Sequence, residues 1–280
     1  MNYKEILSDK FSNLDEIAKQ NHAMYKNAQP FPSIVFDDFF NKDFLLRVMN
    51  EFPDLSNLKS SQSWKNKNEL KFANNRYESF KENTRFCFDF LNSQIFLNFL
   101  QKITSIEEKL ISDPYLEGGG LHEIKKGGIL KIHTDFNTHN LFHLDRRINV
   151  LVYLNMNWQE NYGGHLELWD ADMKNPIKKI LPVFNRVVIF STTDYSNHGH
   201  PEPLSCPENV TRKSFALYYF SSGRPKSEVL HSNQKLGTMF KNRMGIKEDV
   251  FIKTNKFRIF IMQFRFYKVL RDIKDKYLRK

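Results

Sequence analysis

The feature that most constrains this chain is a change of texture at Gly118-Gly119-Gly120. Before it, apolar residues recur at three- and four-residue spacing. After it they fall into short β-type runs: Ile129 to His133, Ile148 to Leu154, His165 to Trp169, Lys178 to Leu181, Arg186 to Phe190 and Ser214 to Phe220. Turn residues such as Gly163-Gly164 and Asn185 part them. Several short strands following a helical block predict an α+β chain with a mainly β core, a sandwich or barrel with helices packed on one side.

The first hundred residues carry the helical share. Residues 3 to 25 read as a polar helix, and Pro30 to Phe36 as a short strand bounded by prolines. A second helix is expected from Asn41, a good cap, with Phe44, Leu45, Val48 and Met49 at helical spacing, stopping near Pro53. The Ser-, Asn- and Lys-rich stretch Leu55 to Asn75 reads as a loop, and Phe86 to Ile103 as a further helix. The spacing divides the chain into 1–110, a helical region with a lead-in strand; 111–225, the β core; and 226–280, a basic extension.

At 280 residues with 40% hydrophobic and 14% aromatic content, the chain can bury a sizeable core, which excludes a mostly disordered or fibrous protein. Two cysteines, Cys87 and Cys206, are too few for a disulfide framework and lack zinc-ribbon or redox spacing. Charges at Lys4, Asp9, Lys10, Asp15, Glu16 and Lys19 interrupt any apolar run near the start. Neither a secretory signal nor a first span is visible, and the expected location is the cytoplasm.

The formal charge of +10 is uneven, because residues 226–280 hold 15 basic and five acidic residues whereas 1–225 hold 27 of each. A neutral body with a basic appendage argues against a nucleic-acid-binding domain and for a local contact. Ile259, Met262, Phe266, Leu270, Ile273 and Tyr277 interleave with Arg258, Arg265, Lys268, Arg271, Lys274 and Lys276, which predicts a basic amphipathic helix. Docking on the core, an anionic membrane surface or an acidic partner are its possible uses, and the second would make the protein membrane-peripheral.

Chemistry concentrates in the β region. His133-Thr134-Asp135 places two ligand types at i and i+2, on one side of an extended segment, and His198-Gly199-His200-Pro201 follows some sixty residues later. A histidine from a neighbouring strand would complete a two-histidine, one-carboxylate set, which leaves three positions of an octahedral Fe(II) open, unlike a four-ligand structural zinc site. His198 and His200 both qualify on spacing. Fourteen residues beyond His198, Arg212 opens the last β run and is suited to grip a carboxylate through a planar, two-pronged pair. Lys213 is its rival, although Arg212 shares strand parity with Ser214, Ala216 and Tyr218. His139 and His143 read as part of a solvated or substrate-facing loop. Tyr153 and Trp169 read as barrel core, and His165 as a strand surface residue.

The stretch Gly118 to Pro225 resembles the 2-oxoglutarate and Fe(II)-dependent oxygenases of the prolyl 4-hydroxylase type. The resemblance rests on Gly118 to Glu123, Gly127-Gly128 before His133-Thr134-Asp135, Arg147 to Leu154, Tyr162 to Trp169, Asn185 to Phe190, His198 to Pro201 and Arg212 to Tyr219. It implies a double-stranded β-helix of the jelly-roll or cupin-like kind, with N-terminal helices packed on it. It also implies iron held by His133, Asp135 and His198, and 2-oxoglutarate held at its far end by Arg212. The implied reaction is hydroxylation of an unactivated C–H bond, converting 2-oxoglutarate and O2 to succinate and CO2, with ascorbate as an auxiliary reductant. The substrate, small-molecule or peptidyl, is left open by the resemblance. The alternative from another class is a non-catalytic β-helix module that binds a metal or a sugar.

Overall fold

Caps and apolar spacing set the helices. The structure is a computed structural model that describes residues 5–228 and 237–246. Helix α1 (Leu14–Lys26) begins where the Asn13 side chain accepts a hydrogen bond from the Glu16 amide. Strand β1 (Ser33–Asp37) follows, and α2 (Lys42–Glu51) starts at Asn41, whose side chain accepts from the Phe44 amide at 3.0 Å. Such a cap is worth about 1 kcal/mol, and it fixes the turn that buries Phe44, Leu45 and Val48.

Three local expectations are corrected. The helix read over residues 3 to 25 forms only over Leu14–Lys26, after a 3-10 turn at Asp9–Phe11. The stretch read as a loop over Leu55–Asn75 contains a hairpin, β2 (Gln62–Lys65) and β3 (Leu70–Asn74), whose turn is closed by Asn66 accepting from the Asn68 and Glu69 amides. Its polar sequence hides it because β3 is held by pairing with a core strand, Phe72 lying opposite Glu123, rather than by its own apolar pattern. The run Phe86–Ile103 is two helices, α3 (Glu82–Asn92) and α4 (Gln94–Thr104). Ser93 separates them in extended backbone, its side chain accepting from the Phe96 amide, because serine favours a cap over a helix interior.

Beyond these come β4 (Ile111–Ser112), β5 (Gly120–Ile124), β6 (Leu130–Thr134), β7 (Asp145–Tyr153), β8 (Leu166–Trp169), β9 (Pro176–Ile180), β10 (Arg186–Ser191), β11 (His198–His200), β12 (Arg212–Ser221) and β13 (Met239–Phe240). They form two antiparallel sheets. The larger has the order β1-β10-β7-β12-β5-β3-β2, with β4 also on β12, and the smaller the order β13-β6-β11-β8-β9. The lead-in strand β1 is thus an edge of the larger sheet, its Ser33 opposite Phe190. At the other end of the chain β13 pairs with β6, placing Phe240 opposite His133.

Alternation along β12 divides the molecule into a packing side and a cavity side. Phe215, Leu217 and Tyr219 join the core beneath the helices, with Phe215 4.8 Å from the Phe88 ring and Tyr219 6.1 Å from Phe96. Arg212, Ser214, Ala216 and Tyr218 face the cavity between the sheets. Cys87 and Cys206 are buried and free. Among the described residues no helix is long and apolar enough to cross a membrane, and the basic helix expected over 251–280 lies outside the described residues.

Phe215 bridges sheet and helices, so Phe215→Ala should cost about 3–5 kcal/mol, read as a lower urea midpoint at unchanged denaturant slope.

Candidate active site

His133 and Asp135 leave β6 on one side, and pairing of β11 with β6 sets His198 directly opposite His133. Ligand atoms of His133, Asp135 and His198 lie within 4.8 Å of one another, and all three residues are buried. His133 Nε2 is 3.6 Å from Asp135 Oδ1, and His198 Nε2 is 3.4 Å from Asp135 Oδ2. The register is tight, because a Cβ on Gly199 would stand 2.6 Å from the Leu130 carbonyl oxygen. Only glycine lets β11 approach β6 this closely.

Backbone contacts orient both imidazoles. His133 Nδ1 lies 2.8 Å from the Lys131 carbonyl and His198 Nδ1 3.0 Å from the Ser196 carbonyl. A carbonyl only accepts, so each Nδ1 carries a proton, which turns each Nε2 toward the Asp135 carboxylate and leaves it available to a metal. Burial pushes the His198 pKa down, to about 4, against the opposing pull of Asp135. Burial raises the Asp135 carboxyl, but the Arg146 guanidinium and the two imidazoles outweigh it and hold it well below the usual carboxylate range. The three ligand atoms converge closely enough to hold one divalent cation.

Asp135 is itself fixed. Its Oδ2 accepts from Arg146 Nη2 at 2.9 Å and from Asn149 Nδ2 at 2.7 Å. Arg146 is 1% exposed, its guanidinium carbon 3.3 Å from the Tyr218 ring centroid and 4.4 Å from that of Phe136. Asn149 Oδ1 in turn accepts from Arg146 Nε and Nη2 and from the Thr192 hydroxyl. Sequence reasoning missed Arg146 and Asn149. The available signal was the pair Arg146-Arg147 at the head of a strand, where adjacent residues face opposite ways: Arg147 instead binds Glu108 and Ser221.

The cluster opens into a cavity of about 170 Å³ that also holds His122, Leu151, Leu166, His200 and Arg212. Arg212 donates from Nε to the Gly164 carbonyl at 2.8 Å and from Nη2 to the Tyr153 hydroxyl at 3.2 Å. Gly164, at φ +70°, clears its path, since a Cβ there would meet Arg212 Cδ at 3.0 Å. Lys213 points the other way, its Nζ 5.8 Å from the Phe52 ring centroid. His200 lies outside the three-residue cluster, 3% exposed, its imidazole pushed well below the ordinary histidine pKa by burial and by Arg212. Tyr153 and Trp169 are buried as expected, although Tyr153 also touches Arg212. His165 is half-buried beside Glu160, at 2.8 Å. The reading of His139 as a solvated loop residue is corrected: it is 2% exposed, with Nδ1 3.0 Å from Glu117 and Nε2 3.6 Å from Asp113. Those partners come from a preceding turn, beyond the reach of local sequence; His143 is exposed.

With this geometry in view, comparison with known proteins is direct. Residues 119–220 match the sequence profile of the 2OG-Fe(II) oxygenase superfamily. A prolyl 3-hydroxylase of Mus musculus, OGFOD1, is 33% identical over 79 residues, 27% of this chain and 14% of that protein, so the match spans about one-seventh of the relative's length. In fold the chain is similar to a Trichoplax adhaerens prolyl hydroxylase solved with a hypoxia inducible factor oxygen degradation domain peptide. The TM-score is 0.55 at 15% identity, covering 76% of this chain and 92% of that one. It is also similar to a Pseudomonas putida prolyl-4-hydroxylase, with TM-score 0.50, 15% identity, and coverage of 76% and 100%. The two sheets thus share the double-stranded β-helix fold of these structures.

Metal at a hundred times its Kd stabilises a folded protein by about 2.7 kcal/mol. Anaerobic Co(II) or Fe(II) should therefore raise the melting temperature, and Asp135→Asn or His198→Ala should abolish the rise. Gly199→Ala, which pushes β11 from β6, should blunt it as well.

Proposed function

We propose that the protein is a 2-oxoglutarate-dependent Fe(II) dioxygenase that hydroxylates a C–H bond of a prolyl peptide. The observation that carries this reading is a buried two-histidine, one-carboxylate cluster at one end of a cavity that also contains Arg212. His133, Asp135 and His198 would hold the metal on one face, leaving the other for a chelating co-substrate and O2. The bound iron supplies the oxidation: R–H, 2-oxoglutarate and O2 become R–OH, succinate and CO2.

The chain's own groups position and exclude. Arg212, fixed by Gly164 and Tyr153, would take the distal carboxylate of 2-oxoglutarate through a charge-assisted pair. Leu151, Leu166 and Phe190 line the cavity and keep water from its middle. Arg146 and Asn149 hold the carboxylate of Asp135 in place. Arg146 Nη1 is buried without a hydrogen-bond partner beside the cluster, a donor suited to a carbonyl oxygen of the substrate. A peptide backbone offers such an oxygen next to the reacting ring, and the named relatives are prolyl hydroxylases.

Succinate release from 2-oxoglutarate, scored against a library of proline-containing peptides, tests the reading. His133→Ala and Asp135→Ala should abolish turnover. Arg212→Ala should raise KM for 2-oxoglutarate at least about tenfold, the cost of a lost charge-assisted hydrogen bond. Intact turnover in the first two variants would overturn the assignment. A protein that binds metal without consuming O2 or 2-oxoglutarate would be a recognition module instead.

A further inference from the structure

His200 stands two residues after His198 on β11 and therefore points to the same side of the sheet, into the same cavity. Its burial is nearly complete, at 3% exposure, and among the described residues no side chain hydrogen-bonds to either ring nitrogen, the Glu202 backbone being the one polar group that reaches it. Such a group is costly to bury unless a ligand completes it. The metal cluster does not use it, and the Arg212 guanidinium is the charged group that acts on it most strongly. Across the cavity His122, opposite Ser214 in register, carries a second buried ring nitrogen without a partner, and it too lies in the field of Arg212. One strand thus offers a metal ligand and, two residues on, an idle imidazole beside the carboxylate-gripping arginine. That step of about 6.8 Å along a strand is comparable to the reach of a five-carbon diacid.

We propose that His200 is a second anchor for the distal carboxylate of 2-oxoglutarate, donating an imidazole N–H to it alongside Arg212; the inference rests on the dioxygenase reading above. It makes His200 a binding residue for the co-substrate rather than a spare metal ligand. Gly199 then has two effects, since the same close strand approach sets the metal end and the carboxylate end of the subsite.

The test is anaerobic titration of the full-length Fe(II) protein with 2-oxoglutarate, following the visible absorption of the chelate. It is repeated with pyruvate, which chelates through the same keto and carboxylate oxygens but has no distal carboxylate. His200→Leu should weaken 2-oxoglutarate binding about tenfold, as expected for one hydrogen bond to a charged group. Pyruvate and Fe(II) affinities should hold, and His200→Gln, which keeps an N–H donor, should recover most of the loss. Unchanged 2-oxoglutarate affinity in His200→Leu would overturn the inference. So would an equal loss for pyruvate, which would place the effect at the chelate, or a loss of Fe(II), which would make His200 part of the metal set. If the parent protein binds Fe(II) yet forms no chelate with 2-oxoglutarate, the dioxygenase reading itself falls, and the inference with it.

Discussion

Asp135 is the charge around which the interior is arranged. A single carboxylate buried in a dry site is severely penalised unless other groups compensate it. Arg146 answers that cost at Oδ2, its guanidinium buried against the rings of Phe136 and Tyr218. Asn149 closes the network by donating to the same oxygen while accepting from Arg146 and Thr192. Each member satisfies another, so removing one leaves a buried polar group uncompensated rather than merely deleting a contact. The convergent atoms of His133, Asp135 and His198 are left for a cation.

The two sheets supply the distances. Pairing β11 with β6 sets His198 opposite His133 through backbone hydrogen bonds, and Gly199 permits that pairing. The opposite wall belongs to β12, where one strand serves two purposes by alternation. Its Phe215, Leu217 and Tyr219 seal the helical layer, while Arg212 and Ser214 reach the cavity. Rigidity of the catalytic wall therefore derives from the hydrophobic layer behind it. The helices, far from the chemistry, hold Arg212 still.

How much of this could be read from the chain depends on how local its cause is. His133 and Asp135 were legible because strand parity alone puts them on one side, and the helix starting at Asn41 because a cap acts within four residues. Parity also separates Arg212 from Lys213, which lies over Phe52. The hairpin β2–β3 was not legible, since its stability comes from a pairing with residues fifty positions away. Nor was the burial of His139, which depends on Asp113 and Glu117 folding under its loop. Ser93 sits between: a serine inside a periodic run is a visible cap signal, but apolar periodicity on both sides of it masked the break. The choice between His198 and His200 needed register, because spacing treats them alike and only the pairing of β11 with β6 brings one of them to Asp135.

Charge shows most sharply the difference between a sequence total and a folded arrangement. The formal +10 belongs to residues 226–280, and the neutral remainder suggests a body without electrostatic preference. Folding sorts that neutral set. Arg146, Arg212 and Lys71 line the cavity against Asp135 and Glu69, whereas most of the other carboxylates stay near the surface or cap turns and helices. The histidines beside Arg212 are kept neutral by burial, so they add hydrogen-bonding capacity without adding repulsion. What results is a small chamber in which three cations face two carboxylates, an excess of positive charge that suits an anionic ligand. That attraction is set by which charges the fold buries rather than by the chain's total charge.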